Sequence, residues 1–233
     1  MERTNISSFF TGNVLAIKGR DSGETVYVHK SLLEARRTAH GNCLWRCFSV
    51  ATITNFVEYL YQDDYTSPLP AVDKTKSPPC TLSADSAVKY RNSVSYEEVF
   101  TRHAELFILA RGRGIHALGM ICLGRLKEAM AEAEGKLPQS LFLENMSVLI
   151  HYSYNPCCNC DESVWAELQK TVSEYLASRK GWLLEASVSE VLYREQELVK
   201  DLFAATLQLA IDTDKRVKEA QKLRDGLKQV PMV

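Results

Sequence analysis

The chain has 233 residues, 45% of them hydrophobic, and its 28 basic side chains are matched by 29 acidic ones. That length and apolar content are enough for one large domain or two modest ones with a proper core, while the charge balance excludes a global attraction to nucleic acid or to an anionic membrane. No apolar run approaches the ~20 residues that cross a bilayer, and no secretory signal is legible in Met1 to Asn5 or in the residues after them. An intracellular location, cytoplasmic and/or nuclear, is therefore expected. Seven cysteines at irregular spacing suit free buried thiols better than a disulfide framework.

Residues 9–18 and 26–28 read as two strands joined by the turn-rich stretch Gly19 to Glu24, a β-hairpin. Val26 and Val28 share one face of the second strand and Tyr27 takes the other. Ser31 and Glu34 stand at capping-box spacing, so the strand is expected to turn directly into a helix. Residues 38–48 have no clear period. From Ser49 the apolar positions Ile53, Phe56, Val57, Leu60 and Tyr61 lay one stripe on a helix that stops at Gln62-Asp63-Asp64.

Residues 66–95 carry Pro68, Pro70, Pro78 and Pro79 among polar residues, which predicts a flexible insertion. Ser95 and Glu98 repeat the capping-box spacing before an amphipathic helix ending at Arg111-Gly112. Further helices are expected from Gly114 through Met130, over 140–153, through Trp165 to Leu176 with Gly181 as its C-cap, and near 187–193. A last one is built on Leu198, Leu202 and Leu209, with a charged, fraying tail from Asp212. Strands first and helices afterward give the class α+β.

Two constellations bear on chemistry. His103-Ala104-Glu105 matches H-x-E and Pro156-Cys157-Cys158-Asn159-Cys160 matches P-C-x-x-C, the pair that in zinc-dependent nucleobase deaminases holds the metal through His103, Cys157 and Cys160 and shuttles the proton through Glu105. Against this alternative, about 50 residues separate the halves and the segment between them reads as helix where that fold needs strands. A structural zinc on Cys157, Cys158 and Cys160 with His151, or on His40, Cys43 and Cys47, lacks a paired C-x2-C unit. His29 has no nucleophile and orienting acid suggested beside it, and Arg111-Gly112-Arg113-Gly114 is a single basic loop on a neutral chain. No cofactor and no metal are expected.

Three segments in order, Val28-His29-Lys30-Ser31-Leu32-Leu33-Glu34-Ala35-Arg36, then Phe56 to Tyr65, then His103-Ala104-Glu105-Leu106-Phe107-Ile108-Leu109-Ala110, resemble a BTB/POZ domain, particularly its fungal branch. The resemblance covers most of residues 9–130 and continues weakly to about residue 205 as a helical extension. It departs from the family in a shorter segment between Lys30 and Phe56 and in lacking the Ser-Asp pair that commonly precedes the first strand.

The resemblance implies a small N-terminal sheet edged by helices over 1–130 and a mainly helical extension over 131–233. It implies a non-enzymatic protein-interaction module or adaptor with protein partners, expected to be a homodimer, in a family many of whose members recruit a cullin-type ubiquitin ligase scaffold. Neither nucleic acid nor membrane is expected as a partner. The candidate interaction residues are His29, Lys30, Phe56, Tyr59, Tyr61, Tyr65, His103 and Phe107.

Overall fold

The computed structural model describes residues 13–20, 24–35, 45–72, 94–156, 161–179, 192 and 194–228. Strands β1 (Val14–Lys18) and β2 (Thr25–His29) form the expected antiparallel hairpin, with Ala16 opposite Tyr27 and Ile17 opposite Val26. Alternation works as the pattern requires: Ile17 and Val28 are buried and Tyr27 is exposed. β2 passes without a loop into helix α1 (Lys30–Ala35), which buries Leu32 and Leu33. The helix begins at Lys30, so Ser31, expected as its cap, lies inside the first turn. Glu34 instead faces Lys30 one turn back at 3.4 Å.

Helix α2 (Val50–Gln62) starts and stops where the sequence says. The Ser49 side chain accepts the Thr52 N–H at 3.2 Å, and Asp63, in the left-handed region at φ 58°, ends the helix by donating its N–H to Tyr59 O. Gly19 is required by its crossing with the entry to α2: a Cβ there would sit 2.9 Å from the Phe48 carbonyl oxygen and 3.0 Å from the Val50 nitrogen. Arg20 N–H donates to that same Phe48 oxygen at 2.7 Å.

The expected flexible insertion is structured at both ends. Thr66 is tied to α2 by Glu58, which accepts its N–H and hydroxyl, and by Asn55, which donates to its carbonyl. Beyond it β3 (Ala71–Val72) pairs antiparallel with β4 (Val94–Ser95). Residues 73–93 lie outside the described set.

Helix α3 (Glu97–Gly112) is the hub. It packs against α2, against α4 (His116–Lys136) and against α5 (Gln139–Tyr154). Every residue from His103 to Ala110 is buried. Over these eight residues the amphipathic helix expected here is covered on all sides, as a central core helix must be. Its start also differs from the predicted capping box. Tyr96 is the N-cap residue without a side-chain capping bond, Ser95 Oγ accepts the Glu97 N–H, and Asn145 of α5 accepts the Tyr96 N–H and the Ser95 hydroxyl. Glu98 pairs with Arg102 on the surface instead.

α6 (Glu162–Ala177) and α7 (Gln196–Lys228) complete the described helices. The chain divides into two compact units, 1–168 and 169–233, with the division inside α6; the expected boundary at residue 130 falls within α4. In the second unit Leu198 and Leu202 are buried, while every residue from Ile211 to Arg224 is exposed. The charged tail continues as one helix to Lys228. Gly181 and the expected helix near 187–193, apart from residue 192, lie outside the described residues. At the coarse level the class is α+β, with helix dominating and two small antiparallel ladders among the described residues. No helix among the described residues is long and apolar enough to cross a membrane.

Candidate functional site

The polar side chains with most chemistry in them gather around α3. Because α2 ends in the left-handed turn at Asp63, the next residues reverse direction and lead Tyr65 inward. There its hydroxyl meets His103 Nδ1 at 2.8 Å, with the rings edge to face. Arg125 of α4 clamps the same turn. Its guanidinium lies 4.4 Å over the Tyr65 ring, donates to Asp64 Oδ1 at 2.7 Å and reaches the Tyr65 carbonyl. Cys122, one turn earlier on α4, places its thiol against the Tyr65 hydroxyl.

This geometry holds each reactive group in its neutral form. Burial, reinforced by the positive charges of Arg125 and Arg102, lowers the His103 pKa to about 4. Burial pushes the Cys122 thiol up to about 12, and burial with Cys122 beside it raises Tyr65 well above the usual phenol range. A nucleophilic site needs a depressed thiol pKa and a base that titrates near neutrality. Here the shifts run the other way, and the cluster acts as a satisfied polar lock between α2, α3 and α4.

The second element of H-x-E, Glu105, is 1% exposed. Its Oε1 accepts Arg20 Nη2 at 3.0 Å. Its Oε2 accepts the Ser49 hydroxyl at 3.0 Å, the Thr52 hydroxyl at 2.6 Å and the Ser49 N–H at 3.3 Å. A carboxylate at the N-terminus of α2 complements both the orphan donors and the positive end of the helix dipole. Both oxygens are occupied by the protein's own donors, which is the chemistry of a buried helix cap. Cys157 and Cys160, the other half of the deaminase pattern, lie outside the described residues, as do Cys158, His40 and Cys43. Among the described residues no three His, Cys, Asp or Glu side chains converge as metal ligands, and Cys47 and Cys122 are present as thiols.

The eight candidate interaction residues separate by burial. Phe56, Tyr59, Tyr65, His103 and Phe107 are core, so their side chains are used inside the chain. His29 and Tyr61 are half-buried and bonded to each other, Nδ1 to hydroxyl at 2.5 Å, which fastens the end of β2 to α2. The Lys30 side chain is 56% exposed. Sequence reasoning placed Cys122 on an inner helix face but missed Arg20, Ser49, Thr52, Asp64 and Arg125 as members of the polar locks. Arg125 carries a faint signal, a cation one residue before the buried Leu126. Arg20 carries none, being 85 positions from Glu105.

No family model matches this chain, and neither a curated protein nor a solved structure matches it.

Proposed function

We propose that this protein is a non-enzymatic, self-associating interaction module of BTB/POZ type, with protein partners and no bound cofactor, that acts as an adaptor or scaffold in the cytoplasm or nucleus. One observation carries the reading: the three segments that resemble the family, in their described parts 28–35, 56–65 and 103–110, converge in a single packed unit. His29 joins Tyr61, Tyr65 joins His103, and Glu105 joins the start of α2, so each segment is bonded to another in the manner of one module. The pKa directions at His103, Tyr65 and Cys122 count against catalysis at this cluster.

Light scattering behind size-exclusion chromatography tests self-association, for which a dimer is expected and a monomer at high concentration is the contrary result. Recruitment of a cullin-type scaffold is the narrower form of the proposal; direct binding to a purified cullin is expected, and its failure would remove that form alone. Metal analysis with a nucleoside deamination assay tests the absence of enzyme activity. One tightly bound zinc per chain, together with deamination lost in Glu105→Gln, would overturn the non-enzymatic reading.

A further inference from the structure

Helix α7 is 33 residues long, yet the burial of Leu198 and Leu202 covers only its beginning. Along another face Val199, Phe203, Leu207, Ile211 and Val217 are all exposed, Phe203 by 72%. Val199, Phe203, Thr206, Ala210, Thr213 and Val217 follow one another in alternating steps of four and three, the spacing that keeps a seam facing a partner helix. The large apolar members of that seam are Val199, Phe203 and Val217, with Leu207 beside it, and a row of them in water on a long helix marks a contact surface.

The charges on α7 indicate what that is. From Gln196 to Asp214 the helix carries Glu197, Asp201, Asp212 and Asp214 against Lys200. From Lys215 to Arg224 it carries Lys215, Arg216, Lys218, Lys222 and Arg224 against Glu219. In an antiparallel pair centred between Ala210 and Thr213, Asp201 of one helix faces Lys222 of the other and Glu197 lies near Arg224, whereas a parallel copy sets each charge beside its like. The polarity also suits the helix's own dipole, but the dipole gives no role to an apolar seam.

Resting on the self-association proposed above, we infer that α7 pairs antiparallel with α7 of a second copy. Phe203 then faces the small Ala220 of the other helix, and the pair is centred between Ala210 and Thr213.

The test uses the full chain and light scattering. Phe203→Glu buries a charge in the seam and is expected to weaken dimerisation by about ten-fold or more. One charge variant carries Glu197→Lys, Asp201→Lys and Asp212→Lys; a second carries Lys215→Glu, Lys218→Glu and Lys222→Glu. Each alone is expected to be monomeric, because its two halves repel those of its copy, and an equimolar mixture is expected to dimerise, which a misfolded variant cannot do. A wild-type dimer untouched by all three variants overturns the pairing of α7 and leaves self-association standing. A wild-type monomer at about 0.1 mM overturns both. Loss of the dimer in each charge variant without recovery on mixing assigns α7 to a different partner and overturns self-pairing.

Discussion

Helices α3 and α7 make opposite use of the same secondary structure. Each is held by its own neighbourhood: α3 lies under α2, α4 and α5 with eight consecutive buried residues, while α7 shows solvent to every residue from Ile211 to Arg224. In α3 even His103 and Glu105 are inside, the first held neutral and the second matched by donors. In α7 Val199, Phe203, Leu207, Ile211 and Val217 are outside. The first arrangement is a finished core; the second is the surface proposed above for a contact. Stability is therefore expected to be concentrated in α3 and its partners, and association in α7.

The largest effect should come from the hub. Phe107 is fully buried, and Phe107→Ala removes a ring from a packed interior, at an expected cost of about 4 kcal/mol read from the urea midpoint. A loss below about 1 kcal/mol would mean that α3 is not the centre of the core. Next is Glu105→Ala, which leaves Thr52 Oγ1, both Ser49 donors and Arg20 without their acceptor. About 3 kcal/mol is expected, tempered by the half-exposed Arg20, which can return to water. Glu105→Gln should recover part of it, since an amide oxygen still accepts.

His103 gives the comparison a pH axis. Its folded pKa, about 4, lies below the ordinary 6.5 because burial disfavours the charged ring. Between these values the unfolded chain binds a proton that the folded chain refuses, so stability falls as pH falls from about 6.5 toward 4. By pH 5 the loss should reach about 2 kcal/mol, in a range above most carboxylate titrations. Urea unfolding at pH 7 and pH 5 measures it. In His103→Gln the difference between the two pH values should shrink; an unchanged difference would assign the effect elsewhere.

Much of the hub's outline was legible in the sequence, because helices announce themselves by period. The stripe through Ile53, Phe56 and Leu60, the stop at Asp63, the end at Gly112 and the break at Pro138 all lie within a residue or two of the observed elements. What periodicity cannot supply is the partner across space. Ser31 and Ser95 have the spacing of caps, yet one helix starts a residue early and the other draws its acceptor from Asn145, 49 positions from Tyr96. The same blindness governs the candidate site. His103 and Glu105 attracted notice as a sequence pattern, but their roles are set by Tyr65, Arg20 and the first turn of α2. Conversely, α7's leucines could be read as core at Leu198 and Leu202, while the exposure of Phe203 depends on what surrounds the helix.

The smallest effect makes the sharpest contrast. Lys200 and Glu197 form an ion pair of 2.6 Å on the first turn of α7, shorter than the 3.0 Å between Arg20 and Glu105. Both partners on α7 are 71% exposed, so water screens their attraction, and a cation near a helix N-terminus opposes the dipole. Lys200→Ala is therefore expected to change stability by only about 0.3 kcal/mol, with helicity by circular dichroism unaltered. Removing Lys200 should matter about ten times less than removing Glu105, since burial and the number of donors on the carboxylate, and not separation, decide the cost. A loss above about 1 kcal/mol on removing Lys200 would break the contrast by showing that this end of α7 is shielded from solvent in the assembled protein.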